Sequence, residues 1–160
     1  MHIQPGERIP EAILQFIEGG VHKVDTTTLF AHRRMVLISV PGAFTPTCSE
    51  RHLPDYIAHF DAFQTRGIAL ACMAVNDPFV MQAWAREQHV PHGMRMLADG
   101  NAEFTRALGL EFDASGFGMG VRSRRFALYA DDGIVRGLWV EAPGEYRVST
   151  AGNVLAQLPA

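Results

Sequence analysis

Apolar positions change their period several times along the chain, and each change predicts an element. Residues 12–17 and 21–24 are two short runs with Gly19-Gly20 between them, the pattern of a β-hairpin. Asp25 then stands as the N-cap of a helical turn over 26–30. Residues 35–40 are apolar and β-branched, which predicts a buried strand. Leu53, Tyr56, Ile57, Phe60 and Phe63 recur at helical spacing, so a helix is expected over about 47–64. Pro54 falls inside it, removes one backbone hydrogen bond and predicts a kink.

Residues 67–75 are apolar without alternation, which suits a central strand covered on both faces. Asp77-Pro78 is a helix start, with Asp77 as N-cap and the helix reaching about Gln88. A short strand follows over 95–98. Asn101 is the expected cap of a helix carrying Phe104, Ala107 and Leu108 on one face, which Gly109 ends. Residues 126–130 and 134–140 flank Asp131-Asp132-Gly133, a hairpin signal, and 150–158 closes the chain as a helix. A β-α-β crossover followed by an antiparallel hairpin and a final helix describes an α/β, thioredoxin-like fold, with a central mixed β-sheet flanked by helices.

Composition narrows the function classes. With 160 residues, no repeat and no linker, one domain over 1–160 is expected. No apolar run has membrane-spanning length, and the N-terminus lacks the layout of a signal or transit peptide, so a cytoplasmic location is expected. A net charge of −3 gives no reason to propose nucleic acid or an anionic membrane as partner. Two cysteines, Cys48 and Cys72, are too few for a disulfide scaffold.

Cys48 is the chemically placed one. Pro41-Gly42-Ala43-Phe44-Thr45-Pro46-Thr47-Cys48 joins the expected strand to the expected helix, which puts the thiol at a helix start. Free amides and the positive end of the helix dipole favour a thiolate there. Two cap readings compete: Thr45 as N-cap with Pro46 first in the helix, or a capping box from Thr47 to Glu50. Cys72 lies in an all-apolar strand and reads as a small buried hydrophobe.

Pro41, Thr45 and Cys48 have the spacing of the peroxiredoxin signature. The fuller string 41–49 with His52-Leu53-Pro54, together with Val75-Asn76-Asp77, Leu97-Ala98-Asp99-Gly100 and 116–126, resembles the peroxiredoxin-5 subfamily over nearly the whole chain. The resemblance implies a thiol peroxidase for hydrogen peroxide and organic hydroperoxides. Cys48 would attack the O–O bond and become a sulfenic acid. Thr45 would hold thiolate and peroxide, and Arg125 would stabilise the thiolate and the charge on the leaving oxygen. Pro41 would shield the sulfur, and Gly42, Phe44 and Phe117 would join it in lining the substrate pocket. No metal or organic cofactor is implied, since sulfur carries the electrons.

Two-cysteine members of that subfamily carry a resolving cysteine late in the chain, where 145–150 here has none. The resemblance is therefore to a one-cysteine type restored by an external thiol, glutathione or a glutaredoxin first and thioredoxin second. It also implies a homodimer, with Phe44, Phe117 and Met119 as contact candidates. A peroxide sensor or holdase on the same fold is the other reading. A thiol–disulfide exchange enzyme is disfavoured because Thr45 stands where Cys-x-x-Cys would need its first cysteine.

Several residues carry two readings. Arg122, Arg124 and Arg125 fit a solvated strand end; alternation separates Arg125 from the other two, and only the resemblance selects it, with Arg124 as fallback. His52 is either an imidazolium one turn beyond Cys48 or a helix-surface residue. Gly116-x-Gly118-x-Gly120 precedes a strand rather than a helix, which removes the dinucleotide-loop context. Phe117 and Met119 in that loop suit either an apolar lip beside the pocket or a dimer contact. His89 and His92 alone are a weak metal signal.

Overall fold

A computed structural model describes residues 2–159. Its centre is a seven-stranded mixed sheet built from β1 (Ile13–Ile17), β2 (Val21–Asp25), β3 (Arg34–Val40), β4 (Ile68–Ala74), β5 (Arg95–Ala98), β8 (Phe126–Asp131) and β9 (Ile134–Val140). The strand order is β2-β1-β5-β4-β3-β8-β9. The middle three strands are parallel, and antiparallel strands pair on each side. This is the thioredoxin-like α/β architecture that the element order predicts.

The unbroken apolar runs of β3 and β4 are explained by burial on both faces. Val36, Ile38, Val40, Leu70, Cys72 and Ala74 enter one apolar cluster, and Met35, Leu37, Ala71 and Met73 enter the other. The first cluster is covered by α2 (Leu53–Ala58), α3 (Phe60–Thr65), α4 (Pro78–Glu87) and α6 (Ala151–Gln157), through Leu53, Tyr56, Phe63, Met81, Trp84 and Val154. The second is covered by α1 (Thr26–Phe30) and α5 (Glu103–Leu108), through Leu29, Phe30, Phe104 and Leu108. Each such large side chain contributes about 1.5–3 kcal/mol when taken fully out of water.

Local chemistry sets the turns. Asp25 accepts from the Thr27 amide and Asp77 from the Val80 amide, both as N-caps. Asp132 and Gly133 both have positive φ, at 49° and 80°, the primed turn whose twist matches a two-residue hairpin. The expected cap at Asn101 is not the one formed. Ala102 occupies the N-cap position with φ 59°, and the buried carboxylate of Asp99 reaches over to accept from the Phe104 and Thr105 amides. A side chain two residues earlier thus satisfies the orphan donors that Asn101 would have taken.

The helix expected over 47–64 is three pieces. Cys48–His52 is a π-helical turn in which the Leu53 amide reaches the Cys48 carbonyl, and α2 and α3 follow with a break at His59. Pro54 has no N–H for the Glu50 carbonyl, and the wider turn makes room for its ring. The irregularity therefore precedes the proline instead of bending a continuous helix at it. Two strands escape the sequence reading: β6 (Glu111–Asp113) and β7 (Val121–Ser123) pair as a small ribbon outside the main sheet. At three residues each they are too short to show a period.

Candidate active site

β3 ends at Val40, and the chain turns through 41–45 into the helical segment that carries Cys48. Helical structure begins at Pro46, and the Ser49 amide donates to the Thr45 carbonyl at 2.9 Å. Of the two cap readings, this is the Thr45–Pro46 one. Thr47 has helical dihedrals and makes no side-chain cap bond. Phe44 sits at φ 65°, an uncommon conformation for a bulky residue, so the turn is held by its surroundings. The Ala43 amide donates to Asn76 Oδ1 at 2.9 Å. Gly42 is packed tightly: a Cβ there would lie 3.1 Å from Arg122 Nη1 and 3.3 Å from the Met119 methyl.

Around the sulfur, two donors converge. Thr45 Oγ1 lies 2.8 Å from Cys48 Sγ and 2.7 Å from the Gly42 carbonyl. One hydroxyl proton cannot serve both. It faces the sulfur when the sulfur is a thiolate and faces Gly42 when the thiol proton points at the hydroxyl. Arg125 Nη2 lies 3.3 Å from the same sulfur. Donors of this kind suit an acceptor that carries negative charge. Trp84 Nε1 donates to Ser49 Oγ at 3.0 Å and ties this turn to α4.

Arg125 arrives from an interruption in the chain's strands, between the end of β7 at Ser123 and the start of β8 at Phe126. Simple alternation across 122–125 does not hold there. The three arginines diverge. Arg122 donates to the Met119 and Val75 carbonyls, Arg124 makes a long 3.5 Å contact with the Glu141 carbonyl, and Arg125 points at Cys48.

A cavity of about 270 Å³ opens beside Arg125 and Thr47, the neighbour of Cys48 in the chain; Pro41, Phe112, Phe117 and Arg124 also line it and 141–145 close it. Phe117 is 80% exposed, so the mouth carries aromatic surface while Cys48 itself is fully covered. Of the pocket residues expected from sequence, Pro41 and Phe117 line this cavity. Gly42 and Phe44 instead shape the turn behind it.

His52 departs from both sequence readings. It is fully buried, neither a surface residue nor an imidazolium. Burial first, then the Arg125 guanidinium, hold it well below the ordinary imidazole range, so it is neutral near pH 7. Its Nδ1 is 3.0 Å from Arg125 Nη1, and its ring packs against Tyr56 and Tyr146.

A model of the Redoxin family matches residues 4–155. Peroxiredoxin-2B of Arabidopsis thaliana is 40% identical over 159 residues, covering 98% of each chain. The chain belongs to the peroxiredoxin family, and with it to the thiol peroxidases. Among solved structures, a reduced Prx3 of Vibrio vulnificus with hydrogen peroxide bound is 47% identical, with a TM-score of 0.92, covering 96% of this chain and 98% of that one. Peroxiredoxin 5 of Alvinella pompejana is 37% identical, with a TM-score of 0.82, covering 96% of both chains.

In this peroxiredoxin Cys72 is fully buried on β4, in the same apolar cluster as Cys48. Both cysteines are free. Burial above all, and then the charge of Cys48, push the Cys72 thiol far up, so it stays protonated and inert. The segment 141–151 is strapped over the site by two carboxylates that sequence reasoning missed. Glu141 accepts from the Arg147, Val148 and Ser149 amides and from Ser149 Oγ. Asp55 accepts from the Tyr146 hydroxyl at 2.5 Å and from the Ala151 amide at 2.9 Å. Asn76, Arg122 and Asp55 act across 33 to 96 residues of sequence, and Glu141 across 6 to 8 within a loop, so no helical or strand period marks these contacts. No helix among the described residues is long and apolar enough to cross a membrane.

Proposed function

We propose that this peroxiredoxin reduces hydroperoxides through Cys48 by a one-cysteine cycle, with an external thiol as reductant. The observation that carries the reading is the convergence of Thr45 Oγ1 and Arg125 Nη2 on one sulfur, at 2.8 and 3.3 Å. The Cys48 thiolate attacks the distal peroxide oxygen. The S–O bond forms as O–O breaks, sulfur is oxidised, and the leaving oxygen takes the electron pair and then a proton. Water or an alcohol departs, and Cys48 is left as sulfenic acid. Thr45 and Arg125 face the charge that develops on the leaving oxygen. Preorganised donors of this kind are worth about 2.7–4 kcal/mol each where measured.

One thiol then condenses with the sulfenic acid, releasing water and forming a mixed disulfide. A second thiol attacks that disulfide, returns Cys48 and leaves as an external disulfide. Burial of Cys72 and the absence of any cysteine in 141–150 support the one-cysteine version. Glutathione or a glutaredoxin is the reductant proposed, with thioredoxin second. No metal or organic cofactor takes part. The peroxiredoxin-5 likeness of the 41–54 string and the Alvinella pompejana structure support placement in that subfamily. The exposed Phe44 and Phe117 support a homodimer contact near the pocket, and the apolar mouth suits organic hydroperoxides as well as hydrogen peroxide. A cytoplasmic site of action completes the proposal.

The test is steady-state peroxide consumption with glutathione, glutaredoxin or thioredoxin as the sole recycling system. Turnover with the first two is expected; turnover with thioredoxin alone would replace this reductant assignment.

A further inference from the structure

Arg125 is a forked side chain with two terminal nitrogens, and the two are held differently. Nη2 faces the Cys48 sulfur at 3.3 Å, while Nη1 lies 3.0 Å from His52 Nδ1. A guanidinium has no acceptor, so Nδ1 must be the acceptor in that contact. The single proton of the neutral ring then sits on Nε2. Among the described residues that atom is buried with no hydrogen-bond partner.

A buried donor without a partner costs about 1–3 kcal/mol. A leucine would fill the same space without that penalty. What histidine adds here is one acceptor, at Nδ1, aimed at Arg125. The ring cannot swing away to relieve Nε2, because Tyr146 packs on it with ring centroids 4.8 Å apart and Tyr56 with centroids 5.4 Å apart. Tyr146 is itself pinned by the Asp55 carboxylate and covered by the Arg51 guanidinium. The ionisable groups facing His52 are therefore Arg125 from the segment before β8, Tyr56 from α2, and Tyr146 with its partners Asp55 and Arg51.

We propose that His52 is a positioning residue for the Cys48 reaction: its neutral imidazole fixes the rotation of the Arg125 guanidinium so that Nη2 faces the sulfur. With one prong anchored on a rigid ring, the planar fork has one orientation left. Without the anchor, Arg125 retains its charge but loses its aim. This rests on the reading of Cys48 as the reacting thiol.

Three variants test it: His52→Leu, which removes the acceptor; His52→Asn, whose amide oxygen occupies the place of Nδ1; and His52→Gln, which reaches toward Nε2 instead. Two readouts are taken, the pH profile of Cys48 alkylation by iodoacetamide and the rate of Cys48 oxidation by peroxide. His52→Leu is expected to move the alkylation midpoint upward and to slow oxidation roughly 10- to 100-fold, the scale of a misaimed catalytic contact. His52→Asn should restore oxidation to within about threefold of the native rate, on the premise that orientation is what was lost. If His52→Leu does not fold, His52→Gln takes its place, with slow oxidation again expected.

In an Arg125→Ala background the His52 change should add nothing to either readout. Native behaviour of His52→Leu or His52→Gln would overturn the proposal. So would equal slowing in the Asn variant with an unmoved alkylation midpoint, or an additive effect in the Arg125→Ala background. Alkylation does not depend on peroxide, so it reads His52 even if the peroxidase assignment fails.

Discussion

Thr45 Oγ1 lies 2.8 Å from Cys48 Sγ, three residues away in the same first helical turn. An N-cap hydroxyl ordinarily turns toward the amide of the third helical residue; here it faces that residue's sulfur. The interaction belongs to the hydroxyl, not to the shape of the side chain. Thr45→Val should slow Cys48 oxidation about 10²–10³-fold, by comparison with loss of one preorganised donor elsewhere. Thr45→Ser should retain most of the rate. Stopped-flow oxidation of the reduced protein measures both.

Arg125 and Arg124 are neighbours with different partners. Arg125→Ala removes the one guanidinium seen on the sulfur and should slow oxidation about 10²-fold or more. It should also move the pH midpoint of Cys48 alkylation upward. Arg124→Ala removes a long contact to a carbonyl at the pocket wall and should change the oxidation rate by only about a factor of a few, since a hydrogen bond of that length is weak. Reversal of that order would move the role to Arg124.

Asp99 caps α5 from the end of β5. Its carboxylate is 2% exposed and accepts from two amides and the Thr105 hydroxyl. Asp99→Ala should lower stability by about 1–2 kcal/mol, the upper range for a lost cap. Chemical denaturation reads this, and Asn101→Ala should leave stability nearly unchanged.

Glu141 gives a pH prediction. Burial raises its carboxyl, but bonds from Ser149, Arg147 and Val148 outweigh that and hold it below the usual carboxylate range. A lowered folded-state value means that its stabilisation is present above the unfolded value, about 4.3, and is lost as pH falls through the folded one. Glu141→Gln should therefore destabilise the protein near neutral pH, by about 2–3 kcal/mol for the charged hydrogen bonds lost. The variant should also lose part of the native protein's acid sensitivity below about pH 4.3. Thermal unfolding at several pH values checks both.

The apolar runs at 35–40 and 67–75 carried the sheet, because a strand buried on both faces has no polar positions to confuse its reading. The Pro41, Thr45 and Cys48 spacing carried the turn. What stayed hidden was set by contacts distant in sequence or by competition between neighbours. His52 read as exposed or charged because nothing local announces that Tyr146, 94 residues later, covers it; the pairing is seen only in the fold. Asn101 read as a cap because Asp99 gives no sign that its carboxylate doubles back. The π-helical turn at Cys48–His52 left only Pro54 as a clue, and a proline predicts a disruption without its form.

The central claim is that Cys48 alone meets the peroxide and that an outside thiol restores it. Peptide mass spectrometry of the reduced protein after one equivalent of peroxide tests it most directly, with dimedone or glutathione present. A dimedone adduct on Cys48 is expected in the first case and a glutathione mixed disulfide on Cys48 in the second, with Cys72 unmodified in both. A Cys48–Cys72 disulfide as the main product, or an unmodified Cys48, would contradict the account.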